Sequence, residues 1–183
     1  MLTIIGGTYR HRHLSLPPAQ VTRPTSQRAR AAVFNILQNK IPGATVMDVF
    51  AGSGAMGLEA LSRGATPHVT FLENHPLALT CLRQNIQNLD VEDKCLVIPL
   101  SISALFKTST PQDIIFIDPP YEENLSLTAL HILCEQGWIS PHTLVVVESK
   151  GDFSPPPQWS LIDERRYGIA RISFLQLNTT HKP

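Results

Sequence analysis

Short runs of consecutive apolar residues recur along the middle of the chain, and the segments between them place apolar residues at every third or fourth position. Such runs are typical of parallel strands buried on both faces, and the spacing between them is typical of amphipathic helices. The pattern predicts strands over 45–50, 68–72, 95–99, 113–117 and 143–148. It predicts helices over 54–62, 76–89 and 125–135, with a short helical segment near Ser103. This alternation predicts a doubly wound α/β fold.

The pattern changes at both ends of the chain. Residues 2–22 alternate in short segments broken by glycine and proline pairs, which predicts a small β-hairpin or extended arm. Thr25 or Ser26 can then cap a helix that ends near residues 42–43. Beyond 155–157, the segments 159–165 and 169–177 face each other across Tyr167 and Gly168, which predicts an antiparallel hairpin at the sheet edge. We divide the chain into a basic N-terminal hairpin or arm, 1–24, and an α/β domain, 25–183.

Composition narrows the class of protein. The chain has 183 residues, of which 43% are hydrophobic, enough for one domain with an ordinary core. No apolar run approaches the roughly 18 residues of a membrane-spanning helix, so we exclude a membrane protein. The N-terminal sequence lacks the pattern of a secretory signal, which predicts a cytoplasmic protein. The three cysteines are widely spaced and favour neither a disulfide framework nor a zinc site, so we expect three buried thiols and no metal.

The net charge of zero conceals an asymmetry along the chain. No acidic residue precedes Asp48, whereas that stretch carries six basic residues. A basic segment on an otherwise acidic body favours an anionic partner such as nucleic acid, although a solvated basic surface would give the same composition. The predicted helix that starts near residue 26 carries Arg28 and Arg30, which we assign to a basic face.

The first predicted strand of the domain runs into a glycine-rich sequence. Asp48 is followed by the letters VFAGSGAMG, so a GxGxxG pattern lies between a strand and a helix. Such a turn lets a ligand approach the backbone at the carboxyl edge of a sheet, and it suits NAD, FAD and S-adenosylmethionine (AdoMet) alike. A carboxylate at Asp48 would repel a pyrophosphate and attract the sulfonium and amino groups of AdoMet. Glu73 ends the next strand, where a carboxylate can accept hydrogen bonds from the hydroxyls of a ribose.

The fourth strand ends in the sequence Asp118-Pro119-Pro120-Tyr121. The two prolines stiffen the turn and remove two N–H donors, so it presents carbonyl oxygens and a carboxylate in a fixed arrangement. Such a corner suits a planar base with an exocyclic amine: Asp118 and the Pro119 carbonyl can accept its N–H groups, and Tyr121 can stack on its ring.

These motifs carry a family resemblance. The letters DVFAGSGAMGLEA, Glu73 and DPPY, in this order, resemble Rossmann-like class I AdoMet-dependent N-methyltransferases that act on exocyclic amines. With GGTYRHRHL, TRPTSQRARAAVFNIL and VVVES, the chain resembles over almost its full length the RsmD family of bacterial 16S rRNA guanine-N2 methyltransferases. The resemblance implies a mostly parallel seven-stranded sheet with helices on both faces. It also implies AdoMet as cofactor and guanine 966 of 16S rRNA, on RNA assembled with ribosomal proteins, as target.

The resemblance and the motifs together assign three sets of residues. The predicted catalytic residues are Asp118, Pro119, Pro120 and Tyr121. The predicted cofactor-binding residues are Asp48, Phe50, Ala51, Gly52, Ser53, Gly54, Gly57, Glu73, Asn74 and, as the residue nearest the adenine amino group, Ser101 or a neighbour. The predicted RNA-binding residues are Arg10, Arg12, Arg23, Thr25, Arg28 and Arg30.

Other functions use parts of the same pattern. An NAD-dependent oxidoreductase also uses GxGxxG, but it leaves the DPPY corner unexplained. A non-catalytic RNA-binding module would use the basic segment and leave the glycine-rich turn unexplained. Among methyltransferases, DNA adenine-N6 or protein glutamine methylation remains open, because the same proline corner can hold other planar amines.

Overall fold

The structure of the chain is a computed structural model that describes residues 2–18, 27–120, 124–151 and 153–178. Its helices are α1 (Gln27–Ile36), α2 (Ala55–Ser62), α3 (Pro76–Leu89) and α4 (Leu125–Glu135), with two short 3₁₀ helices at Glu92–Lys94 and Ile102–Ala104. Its strands are β1 (Leu2–Thr3), β2 (His13–Leu14), β3 (Val46–Val49), β4 (Val69–Leu72), β5 (Cys95–Ile98), β6 (Ile114–Ile117), β7 (Leu144–Lys150), β8 (Trp159–Tyr167) and β9 (Ala170–Leu177).

Seven strands form one sheet in the order β5-β4-β3-β6-β7-β9-β8. The first five pair in parallel, and β9 joins β7 and β8 in antiparallel pairs, so the C-terminal hairpin forms the sheet edge. From β3 the chain winds outward to β4 and β5, and it then returns to place β6 on the other side of β3. The carboxyl ends of β3 and β6 therefore meet where the strand order reverses, which is the place where ligands bind in open α/β sheets.

Each central strand contributes alternate residues to two cores. Val46, Ile114 and Phe116 pack with α1, α2 and α3 on the first face of the sheet. Met47 and Ile115 pack with α4 on the second face. Both faces are buried, which explains why β6 is apolar throughout and β3 is apolar except for Asp48. The fold is the Rossmann-like class I methyltransferase fold expected from the sequence.

The N-terminal segment, residues 2–18, is part of the first core. Its strands β1 and β2 pair Leu2 with Leu14 and Thr3 with His13 in an antiparallel hairpin. Leu2, Ile4 and Leu14 are buried in the same cluster as the helix residues of the first face. The segment is therefore anchored to the sheet layer by apolar contacts as well as by hydrogen bonds.

Most predicted elements lie within one or two residues of those in the structure. The first helix differs more, because α1 ends at Ile36. The chain then continues through turns in which the N–H groups of Lys40 and Ile41 both donate to the Leu37 carbonyl. The proposed caps Thr25 and Ser26 lie outside the described residues. Within the described ranges, no helix combines the length and apolar character needed to cross a membrane.

Candidate functional site

The loop after β3, residues 50–54, turns sharply and is called the glycine loop below. Phe50, Gly52 and Gly54 all have positive φ, at 64°, 57° and 79°. Glycine adopts this conformation without steric cost, but Phe50 does so against its preference. The N–H groups of Phe50 and Ala51 both donate to the Leu72 carbonyl, at 3.0 and 3.1 Å. These bonds hold the strained residue and tie the loop to the end of β4.

Close packing beneath the loop explains Gly57, which lies in the first turn of α2. A methyl group placed on Gly57 would lie 2.3 Å from Phe71 Cε1, well inside contact distance. Gly57 therefore allows α2 to approach β4 at the point where the helix begins. The Gly57 N–H also donates to Asp48 Oδ2 at 2.9 Å.

Asp48 lies under the helix, with 3% of its surface exposed. Burial raises the pKa of Asp48 to about 8; Asp118 and Glu73 act in the same direction, and the Gly57 hydrogen bond acts against them. At neutral pH the carboxyl group is therefore mainly protonated. Without a ligand, burial therefore disfavours the negative charge that the sequence assigned to Asp48. A direct contact between Asp48 and a cofactor stays a prediction.

Glu73 joins two loops. Its Oε2 accepts a hydrogen bond from the Gly52 N–H at 2.8 Å, and its Oε1 accepts from the N–H groups of Asn74 and His75, each at 2.8 Å. The side chain is buried. A carboxylate has about four lone-pair sites, so three bonds leave capacity for another donor. The sequence located Glu73 at the strand end and missed these bonds to the glycine loop.

The strand register brings the predicted groups to one edge of the sheet. Val49 pairs with Leu72 on one side and with Ile117 on the other. Phe50, Glu73 and Asp118, the residues that follow these strand ends, therefore begin their loops at the same level. Asp118 and Pro119 are half-buried and Pro120 is exposed, whereas Tyr121 lies outside the described residues.

The two remaining cofactor predictions lie in the neighbouring loops. Asn74 is exposed after β4. Ser101 is half-buried at the start of the 3₁₀ helix after β5, with its hydroxyl 2.9 Å from that of Ser103. Because Leu72 also pairs with Ile98, both loops leave the same edge of the sheet. Their contact with a cofactor stays a prediction.

The predicted RNA-binding residues divide into two groups. Arg10, Arg12 and Arg28 are exposed. Arg30 is fully buried, and its assignment to an RNA-contacting face is a correction that the structure requires. Positions two apart on a helix point in nearly opposite directions, so Arg28 and Arg30 cannot share a face. Arg23 and Thr25 lie outside the described residues.

Arg30 instead belongs to a buried cluster that holds the N-terminal segment. Its Nη2 donates to the Thr3 carbonyl, and its Nε lies 4.0 Å from Glu59 Oε2. Glu59, fully buried in α2, accepts hydrogen bonds from the N–H groups of Ile5 at 2.7 Å and Gly6 at 2.9 Å, and from Arg63 Nε at 2.7 Å. The sequence analysis missed this cluster, although an acidic residue in the middle of an apolar helix was a signal for it.

Across the described ranges, no group of three or more His, Cys, Asp or Glu side chains is placed to hold a metal ion. Cys81 is buried and Cys95 and Cys134 are half-buried, and all three are free thiols. The expectation of three buried thiols is thus wrong for two of them.

Comparisons with known proteins match the chain over nearly its whole length. The model of the family described as Conserved hypothetical protein 95 matches residues 2–176. Ribosomal RNA small subunit methyltransferase D of Haemophilus influenzae is 36% identical over 180 residues, which cover 94% of this chain and 92% of that protein.

Solved structures share the fold. The Escherichia coli protein yhhF superimposes with a TM-score of 0.85 at 33% identity, covering 98% of this chain and 99% of that one. An RNA methyltransferase from Salinibacter ruber, solved with S-adenosyl-L-homocysteine, superimposes with a TM-score of 0.68 at 17% identity, covering 87% of this chain and 97% of that one. The match to the family model and the identity to the Haemophilus protein, both over nearly the whole length, establish that the chain belongs to the RsmD family.

Proposed function

We propose that this protein is an rRNA methyltransferase that transfers a methyl group from AdoMet to the exocyclic N2 amine of a guanine in 16S rRNA, at position 966. The observation that carries the proposal is the meeting of the glycine loop and the Asp118-Pro119 corner where the strand order reverses. A cofactor lying over the glycine loop would face a base held by the Asp118-Pro119 corner. The names of the relatives support rRNA as the substrate.

The residues at this edge fit AdoMet in chemical type. Glu73 retains acceptor capacity for the ribose hydroxyls, and its position is fixed by three backbone N–H groups. The carboxyl groups of Glu73 and Asp118 supply negative charge near a cofactor whose sulfonium and amino groups are positive. The positive φ of Gly52 and Gly54 gives the tight turn that lets a ligand approach the backbone at such a strand edge.

AdoMet, when bound, supplies an electrophilic methyl group. The chain's own residues then prepare the acceptor. An amine on an aromatic ring is a weak nucleophile because its lone pair is delocalised. By accepting its two N–H bonds, Asp118 and the Pro119 carbonyl would favour a more tetrahedral nitrogen and offset the positive charge that develops there. The Asp118 carboxylate can also accept the proton that the methylated nitrogen releases.

The substrate implies further requirements. A guanine inside structured RNA must leave its stack to reach the corner, and Tyr121 would stabilise it there by stacking. The exposed Arg10, Arg12 and Arg28 would contact phosphates, as would Arg23 and Thr25 by their positions in the sequence. We propose the small ribosomal subunit or an assembly intermediate as the natural substrate, which places the reaction in the cytoplasm.

The direct test offers radiolabelled AdoMet with unmodified small ribosomal subunits, naked 16S rRNA, DNA and protein, followed by mapping of the label. We expect label on N2 of one guanine of 16S rRNA, with the particle preferred over naked RNA. Asp118→Ala should slow labelling by about a hundredfold or more, whereas Asp93→Ala, a change at an exposed acid after α3, should leave it unchanged.

The other outcomes separate the alternatives. Label on DNA adenine or on protein glutamine would identify a different substrate for the same methyl-transfer reaction. Binding of RNA without any transfer would favour a non-catalytic module. Binding of NAD without AdoMet would contradict the proposal at the level of the cofactor.

A further inference from the structure

Asn85 connects two parts of the chain that the proposed function uses separately. It lies in α3 and is fully buried. Its Oδ1 accepts a hydrogen bond from the Ser15 N–H at 2.7 Å, and its Nδ2 donates to the Ser15 carbonyl at 3.0 Å and to the Ser53 carbonyl at 2.9 Å. An asparagine amide has one acceptor oxygen and two N–H donors. All of these groups are therefore used between Ser15 and Ser53.

The first partner belongs to the basic N-terminal segment. Ser15 directly follows β2, and its carbonyl also accepts a hydrogen bond from the Cys81 thiol at 3.1 Å. Arg12, earlier in the same segment, donates to the Asn88 carbonyl near the end of α3. The segment thus contacts α3 at Asn88, Asn85 and Cys81, which lie on successive turns of the helix.

The second partner belongs to the glycine loop. Ser53 lies between Gly52, whose N–H donates to Glu73, and Gly54, which is the N-cap residue of α2. The N-terminal segment also forms hydrogen bonds with Ser62, the last residue of α2. The Thr8 N–H donates to the Ser62 carbonyl at 2.7 Å, and the Tyr9 N–H donates to the Ser62 hydroxyl at 2.9 Å. Both ends of α2 are therefore linked to the segment, one of them through Asn85.

We propose that Asn85 is a positioning residue that couples RNA contact at the N-terminal segment to cofactor binding at the glycine loop. The inference rests on the proposed function, because it takes RNA as the ligand of the segment. A buried polar group that loses a partner is costly, so Ser15 and Ser53 cannot move independently while both bond to one amide. RNA that fixes the segment thereby fixes the loop, and by linkage a bound cofactor strengthens RNA binding by the same factor.

The experiment measures the factor by which RNA strengthens cofactor binding. Calorimetry gives the affinity of S-adenosylhomocysteine, which binds without reacting, in the presence and absence of unmodified 16S rRNA. For the unaltered protein we expect RNA to tighten binding by at least about fivefold. Asn85→Asp keeps the acceptor for Ser15 and loses both donors. The ratio of the affinities measured with and without RNA should therefore fall close to one. Gln87→Ala, an exposed change in the same helix, should keep the full ratio.

A second measurement guards against a variant that folds poorly. Hydrogen exchange of residues 52–57, without cofactor, should slow when RNA is added to the unaltered protein and to Gln87→Ala. It should not slow in Asn85→Ala, a variant without the added charge of Asn85→Asp.

Two outcomes would overturn the inference alone. One is independent binding of RNA and S-adenosylhomocysteine by the unaltered protein. The other is an unchanged ratio in both Asn85 variants, which would mean that the residue has only a structural role even if cofactor affinity falls. Failure of the unaltered protein to bind any RNA would instead contradict the proposed function together with this inference.

Discussion

The N–H of Gly52 and the carboxylate of Glu73 are joined by a hydrogen bond of 2.8 Å, which links the loops that follow β3 and β4. The same carboxylate fixes the backbone of Asn74 and His75. Glu73 thus shapes the glycine loop before any ligand is present, so its removal disturbs both the shape and the chemistry of the site.

Glu73→Ala should weaken binding of S-adenosylhomocysteine by about 1.5 to 3 kcal/mol, the usual contribution of a hydrogen bond to a charged group. Calorimetry measures the loss directly. Glu92→Ala, an exposed acid in the 3₁₀ helix before β5, is the control and should bind normally. Unchanged affinity in Glu73→Ala would contradict a role for this carboxylate in the cofactor site.

Asp118→Ala should lower the single-turnover rate of methyl transfer by about a hundredfold or more, because the acceptor for the developing charge is lost. The affinity for S-adenosylhomocysteine should change by less than about threefold, since Asp118 serves the incoming amine. Equal losses of rate and affinity would instead assign Asp118 to the cofactor pocket.

Gly57→Ala should destabilise the fold by about 1 to 3 kcal/mol, because the new methyl group would overlap the Phe71 ring. Urea unfolding measures the loss, and a second change, Phe71→Leu, should recover part of it. Gly57 lies inside α2 and has no positive φ, so an alanine there meets the overlap without added backbone strain. Unchanged stability of Gly57→Ala would contradict the steric explanation.

Asp48 should make the protein less stable as the pH rises. Its folded-state pKa is about 8, above its value of 3.8 in an unfolded chain, so between these values the folded state holds a proton that the unfolded state has lost. The contribution of Asp48 is fully present below pH 4 and is lost as the pH rises to 8.

The variant Asp48→Asn tests this dependence, because an amide oxygen can still accept from the Gly57 N–H. Urea unfolding at pH 5 and pH 9 should show a smaller fall for the variant than for the unaltered protein. Its cofactor affinity at pH 7 should be close to normal, because the acid is already mainly uncharged there. Parallel curves for the two proteins would contradict the raised pKa.

The exposed arginines should control the salt dependence of RNA binding. Changing Arg10 and Arg28 together to Gln should weaken binding to every RNA sequence. It should also flatten the plot of the logarithm of the binding constant against the logarithm of the salt concentration, because about two fewer counterions are released. Cofactor affinity should stay the same. Lys94→Gln, after α3, is the control. An unchanged slope in the arginine variant would mean that these residues form only a solvated surface.

Sequence patterns predicted the sheet, the helices and the strand-end positions of Glu73 and Asp118, because these depend on local periodicity and on the rule that parallel strands end at one edge. The burial of Arg30 could not be predicted in this way. Its charge indicated a surface residue, and only contact with Thr3 and Glu59, distant in sequence, explains its position.

The protonation state of Asp48 could not be predicted from the sequence either. The sequence located it before the glycine loop, but its protonation depends on how closely α2 covers it, and that distance is set by the packing of Gly57 against Phe71. The bonds of Asn85 likewise connect residues separated by 32 and 70 positions. Contacts of this kind leave no periodic trace in one sequence.

The burial of Leu2, Ile4 and Leu14 beneath the helices of the first face has a consequence for how the N-terminal segment can vary. An element that also completes the hydrophobic core cannot be exchanged as a module, because its removal would expose the apolar surface that it covers. If the segment contacts RNA as proposed, a change of RNA preference would have to come from substitutions at exposed positions such as Arg10 and His11.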